Sequence, residues 1–173
     1  MLELQAMGKI VPLNKIPAIV KECQNGGGTV GLITGCFDVL HVGHVRHFVW
    51  AKRCVNLLIV GLDSDRSISL SKGVGRPVFK QKIRAEVIAE LSPVDYVFKI
   101  HKVYRFKGPS VRSYHDYLLR YIRPDFLITH TSSDAHVKDK RVLTKKHGVG
   151  LLLRRGDRPS SSTEIVEKIK RLN

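Results

Sequence analysis

The stretch Gly35-Cys36-Phe37-Asp38-Val39-Leu40-His41-Val42-Gly43-His44 constrains this chain more than any other. An apolar run from Val30 to Thr34 precedes it, and a run with helical periodicity from Val45 to Arg53 follows. Strand, glycine-bearing turn and helix, in that order, is how an α/β chain presents backbone N–H groups to a phosphate. Two histidines at i and i+3 lie on one side of a first helical turn. Each imidazole offers an N–H donor to a phosphate oxygen, whether neutral or protonated. Gly43, between them, lets a ligand approach the backbone closely. A histidine pair at a helix start also arises as a surface or capping feature, so the motif gains its weight from the rest of the chain.

That remainder alternates strand and helix. The spacing predicts a helix over 15–24, ended by Gly26-Gly27-Gly28, then a strand over 29–34 and a helix over 42–53 with Val45, Phe48 and Val49 toward the sheet. Strands follow at 56–62, 94–98, 126–129 and 149–153. Helices are expected around 66–70, 80–92, 114–122, 134–146 and 164–172, the 80–92 helix burying Ile83, Val87, Ile88 and Leu91. The nearly unbroken apolar run 56–62 suits a parallel strand covered on both faces. Residues 101–112 read as a basic surface loop with Tyr104 and Phe106 buried. The expected fold is α/β: a Rossmann-like, doubly wound, five-stranded parallel sheet in a single domain over 1–173. Residues 1–28 form a lead-in and first helix, and 29–173 the core. Right-handed crossovers would bring the loops after the strands together, where such sheets bind ligands.

A length of 173 residues suits about one domain, and 43% apolar with 26% charged residues is globular composition. The apolar runs fall short of the roughly 18 residues of a membrane span. Met1 to Gln5 has no charged, then apolar, leader pattern, so no signal peptide is expected. Cys23, Cys36 and Cys54 fit neither a zinc nor a disulfide pattern, which predicts a reducing, cytoplasmic setting. Thirty Lys and Arg against fifteen Asp and Glu give a formal charge of +15, spread along the chain. Such a field favours anionic partners without choosing among them.

The string G-C-F-D-V-L-H-V-G-H resembles the signature of cytidylyltransferase-like nucleotidyltransferases, a group that shares H-x-G-H with class I aminoacyl-tRNA synthetases. Within it, the chain is most similar to heptose 1-phosphate adenylyltransferase domains, with glycerol-3-phosphate cytidylyltransferase nearby. The resemblance continues through Ser64-Asp65, Ser67, Lys72-Gly73, Arg76-Pro77-Val78, Arg84, Val94-Asp95 and Pro124-Asp125. It implies transfer of a nucleotidyl group from a nucleoside triphosphate, ATP favoured and CTP next, to a phosphorylated acceptor such as a sugar 1-phosphate. A cytidylyltransferase for glycerol 3-phosphate or another alcohol phosphate is one alternative. A catalytically silent, basic nucleotide- or RNA-binding protein is another.

The resemblance assigns His41, His44, Lys72 and Arg84 to catalysis on the phosphates. It assigns Gly35, Cys36, Phe37, Asp38, Gly43, Arg46 and Asp63 to the nucleotide, Asp38 by orienting the turn or helping to place Mg²⁺. Mg²⁺ itself would be held mainly by the phosphates, with no protein metal site. Hydroxyls at a helix start make an anion site, so Ser161, Ser162 and Thr163, with Arg155 and Arg158 nearby, are expected to join the nucleotide site. Relatives commonly carry a Gly-x-Asp turn after the fourth strand. Here the stretch is His130-Thr131-Ser132-Ser133-Asp134. Thr131, Ser132 and Asp134 are therefore expected to bind the acceptor, with a changed acceptor preference. The arrangement leaves room for a homodimer; no membrane and no nucleic-acid partner is expected. Filter binding with RNA and duplex DNA at low and moderate salt checks the last point: weak, salt-labile retention is expected, and sub-micromolar binding at physiological salt would contradict it.

Overall fold

A computed structural model of the chain describes residues 8–131, 134, 136–156 and 161–172. After a 3-10 turn at Leu13–Lys15, the chain runs α1 (Ile16–Asn25), β1 (Val30–Gly35), α2 (Val42–Cys54), β2 (Leu57–Leu62), α3 (Asp65–Lys72), α4 (Gln81–Ala89) and β3 (Tyr96–Lys99). It continues through α5 (Pro109–Ile122), β4 (Phe126–His130), α6 (Val137–His147), β5 (Gly150–Arg154) and α7 (Ser162–Lys170). The five strands are all parallel, in the order β3-β2-β1-β4-β5. The expected Rossmann-like α/β sheet is therefore the observed one.

Alternation along the strands feeds two cores. Ile33 and Val60 turn to one face, where Phe48 and Ala51 of α2 and Ile88 and Ala89 of α4 cover them. Leu32 and Ile59 turn to the other, against Ile16 and Val20 of α1, Leu118 and Ile122 of α5 and Leu143 of α6. Burial on both faces is why these strands are apolar throughout.

Two aspartates at strand entries pin neighbouring strands. Asp125, just before β4, accepts the Val30 N–H at 2.8 Å and the Gln24 side-chain amide at 3.1 Å. Asp95, just before β3, accepts the Leu58 N–H at 2.6 Å and the Lys52 ammonium at 2.7 Å. The Pro-Asp and Val-Asp pairs thus join the entry of β4 to the start of β1 and the entry of β3 to the start of β2.

Several expectations are corrected. Val49 is exposed, because α2 presents His47, Phe48 and Ala51 inward instead. Ile83 and Val87 are exposed too. Helix α4 buries Arg84, Ala85, Ile88 and Ala89, a stripe set by the acceptors waiting for Arg84 beneath the turns. Helix α5 begins at Pro109, five residues before the expected start: Gly108 caps it at φ 99°, and proline is tolerated in a first turn. Tyr104 is buried, as expected, and Phe106 packs partly buried against the same core.

Replacing Asp125 with alanine strands the Val30 N–H at the start of the central strand. A loss of about 1–3 kcal/mol is expected, read as a lower urea midpoint with unchanged far-ultraviolet dichroism.

Candidate active site

Strand β1 ends in a turn that the side chains around it hold rigidly. Phe37 adopts φ 46°, a conformation that bulky residues rarely take. Its ring lies over Gly35, where an added Cβ would meet it at 3.0 Å. Asp38 is buried; its carboxylate accepts Arg76 Nε at 2.5 Å and the Val78 and Phe79 amides at 2.7 and 3.0 Å. Arg84 is buried as well. It donates to the Cys36 carbonyl, to the Asp63 carbonyl at 2.8 Å, to the Phe79 carbonyl at 3.0 Å and to the Asp65 carboxylate at 2.7 Å. One guanidinium thereby ties together the turn after β1, the turn after β2 and the loop before α4.

His41 caps α2, its Nδ1 accepting the Gly43 N–H at 3.1 Å. An imidazole nitrogen that accepts a hydrogen bond leaves the proton on the other one, so Nε2 of His41 carries the N–H. The His41 and His44 rings stack with centroids 3.9 Å apart. At α7, Ser161 is a capping-box serine: its hydroxyl accepts the Glu164 N–H while the Glu164 carboxylate accepts the Ser161 N–H. Ser162 donates to the Val39 carbonyl at 3.0 Å, which sets the start of α7 directly against the H-x-G-H turn. Arg154, at the end of β5, reaches the Gly43 carbonyl at 3.5 Å.

These groups border a cavity of about 360 Å³ at the carboxyl ends of the strands. Gly35, Cys36, Phe37, His41, Gly43, His44, Asp63, Lys72, Asp134, Ser162 and Thr163, all expected site residues, line it. Arg84, Asp38 and Ser161 do not; they are buried supports behind the wall. Arg46 and Arg155 are exposed and off the cavity, and Arg154 stands where an arginine was expected at 155. Thr131 is also off it, bonded instead to the Arg154 carbonyl through N–H and hydroxyl. Ser132 and Arg158 lie outside the described residues.

The cavity gathers further histidines around the motif pair. Six of the eight histidines line it: His41, His44, His47, His115, His130 and His136. His47 continues the i+3 series of His41 and His44 by one more turn, a periodic signal that could have found it. Burial, reinforced by His130, Arg154 and Lys140, pushes the His47 imidazole down to about 4. Burial and then Lys140 push His115 down to about 3. Both are neutral near pH 7. Asp134 is pulled the other way. Burial opposes its charge, but Lys140, the Thr129 hydroxyl and the His136 amide outweigh that and hold it at about 2. Burial raises Asp63 against the pull of Tyr104, Cys36 and Arg84, and it raises the Cys36 thiol, with Asp63 adding to the effect. Cys36 is therefore no thiolate nucleophile.

Fold and site together define an α/β protein whose cavity, lined by histidines, cations and a helix start, lies at the carboxyl edge of a parallel sheet. Residues 32–168 match the cytidylyltransferase-like family. The chain belongs to that family. The bifunctional protein HldE of Helicobacter pylori (strain HPAG1) is 34% identical over 167 residues, covering 96% of this chain and 32% of that protein. HldE of Sulfurimonas denitrificans (strain ATCC 33889 / DSM 1251) is 34% identical over 156 residues, or 90% of this chain and 30% of that one. The chain thus spans about a third of the length of these curated relatives. In fold it is similar to a lipopolysaccharide core biosynthesis protein from Thermoplasma volcanium, with TM-score 0.59 and 21% identity over 78% of this chain and 100% of that one. It is similar also to pantothenate synthetase from Thermus thermophilus, with TM-score 0.67 and 14% identity over 94% of this chain and 70% of that one. Among the described residues, no helix is long and apolar enough to cross a membrane.

The neutral His47 has a consequence for stability. Its folded pKa lies below its ordinary 6.5, so protons favour the unfolded chain. Stability is complete above about pH 6.5 and falls as the pH drops toward about 4. Denaturation between about pH 7 and 4.5 should show this slope, made shallower by His47→Phe; an unchanged slope would contradict the assignment.

Proposed function

We propose that this chain joins a nucleoside monophosphate unit, from ATP in preference to CTP, to a sugar 1-phosphate and releases pyrophosphate. The observation that carries the reading is the contact of the α2 and α7 starts across one cavity, with His41, His44 and Arg154 between them. Two helix N-termini with arginine and imidazole donors make a groove for a chain of phosphates. The heptose 1-phosphate end of the family supplies the acceptor class, through the motif resemblance.

In the reaction an oxygen of the acceptor phosphate attacks the α-phosphorus. The bond from that phosphorus to the α,β-bridging oxygen breaks, and the electron pair leaves with pyrophosphate. No protein nucleophile takes part, so catalysis is positioning and charge stabilisation. His41, through its Nε2–H, and His44 hold the α-phosphate and the bridging oxygen as charge builds there. Thr163, the backbone N–H of Ser162 and Arg154 hold the β- and γ-phosphates, and Lys72 closes from the α3 side. Arg84 and Asp38 act through the backbone they fix and touch no substrate. Asp38 and Asp63 are committed to protein partners, which fits a Mg²⁺ carried by triphosphate oxygens rather than by a protein cage. When bound, that ion would neutralise charge on the triphosphate.

Pyrophosphate release should be measured with ATP or CTP against heptose 1-phosphate, other sugar 1-phosphates and glycerol 3-phosphate. Turnover is expected with ATP and a sugar 1-phosphate. Nucleotide binding with no turnover in any pairing would reject the reading in favour of a binding protein. His44→Ala is expected to lower kcat by about 10²–10³-fold while weakening nucleotide binding much less; equal losses would reduce His44 to a ground-state contact.

A further inference from the structure

Lys140 is the cation of the cavity that sequence motifs passed over. It sits on α6, is 4% exposed, and reaches the carboxyl end of β4. Its ammonium lies 2.6 Å from Asp134 Oδ2 and 3.3 Å from Thr129 Oγ1. An ammonium has three N–H donors. Two are accounted for, and the third has no partner among the described residues. His47 is in a similar condition: its buried Nδ1 has no hydrogen-bond partner among them. Buried polar groups are almost always paired, so the unpaired His47 Nδ1, in the same wall as an ammonium with a donor to spare, points to a ligand there.

The ion pair with Asp134 only partly offsets Lys140 toward the cavity: at His115 the carboxylate acts against the ammonium, but more weakly. Its positive charge is felt by His47 on α2, by His115 on α5 and by Asp63 after β2. The pair is held as a dipole: Asp134 is fixed behind by the Thr129 hydroxyl and the His136 N–H at 2.8 Å. Thr129 is the last residue but one of β4, which lies beside β1, the strand where the chain reverses its direction across the sheet. That gap is where ligands of such sheets cross.

We propose that Lys140 is a phosphate-contacting residue, its remaining N–H donated to an oxyanion oxygen, with Asp134 and Thr129 as the positioning residues that hold the ammonium. This rests on the reading above that the cavity takes phosphate ligands. The phosphate belongs either to the triphosphate or to the acceptor, and the test separates them.

The test uses the double variant Lys140→Met, Asp134→Leu, which removes both charges and leaves no orphan carboxylate. Dissociation constants are measured by calorimetry for ATP, glucose 1-phosphate and adenosine. One of the two phosphate probes should bind at least about tenfold more weakly, the range of one charge-assisted hydrogen bond, with adenosine unchanged. Loss with ATP assigns Lys140 to the triphosphate, and loss with glucose 1-phosphate assigns it to the acceptor. Unchanged binding of both phosphate probes, or an equal loss with adenosine, overturns the proposal. Should the double variant fail to fold, the native protein supplies the second measurement, the ¹H–¹⁵N ammonium resonance of Lys140. It should shift, and its proton exchange slow, with ATP or glucose 1-phosphate but not with adenosine; a resonance indifferent to both phosphates overturns the proposal. Neither readout needs turnover, so a chain that released no pyrophosphate would refute the transfer reading and leave this test intact.

Discussion

The Arg84 guanidinium, buried under the ends of β1 and β2, is the contact on which the site depends. Its donors meet the carbonyls of Cys36, Asp63 and Phe79 and the carboxylate of Asp65. Those four acceptors belong to three separate segments: the turn after β1, the junction of β2 with α3, and the loop before α4. Carbonyls that end parallel strands would otherwise need water, and a cavity wall built on water would not hold the H-x-G-H turn in one place. A buried arginine is stable only when its fork is paired. The same requirement therefore fixes the loops, the rotation of α4 and the exposure of Ile83 and Val87. Asp38 works in parallel from the other side, drawing Arg76 and the Val78 and Phe79 amides beneath the turn.

With the turn fixed, the electrostatics of the cavity follow from burial. Cations ring it: Lys72, Lys140 and Arg154, against the two carboxylates Asp63 and Asp134. Burial disfavours an additional positive charge there and the nearby cations add to that, so His47 and His115 stay neutral. His41 is held in a different way, its Nδ1 accepting the Gly43 N–H. A phosphate ligand entering this space meets oriented donors that need not reorganise.

The sheet was legible because apolar runs, glycine turns and helical periodicity report local and burial requirements that every residue carries. The H-x-G-H turn was legible for the same reason: its function and its local geometry involve neighbouring residues. Arg84 and Asp38 were visible as motif members, but their part in the site was not. An arginine in a phosphate-binding motif looks the same in sequence whether it faces a ligand or three carbonyls. Ser161 likewise resembles an anion ligand until its hydroxyl is found on the Glu164 N–H.

The sequence alone therefore determined the class of fold, the strand-turn-helix that presents His41 and His44, and the serine-rich helix start that faces it, since each is encoded within a few consecutive residues. Only the tertiary structure decided which cations reach the cavity. Arg154 enters it and Arg155 does not, because alternate residues at a strand end point to opposite sides. Lys140 enters from a helix that follows β4 in the chain, because α6 packs back along that strand. Such placements depend on how elements separated in sequence stack together, and no short window of residues contains that information.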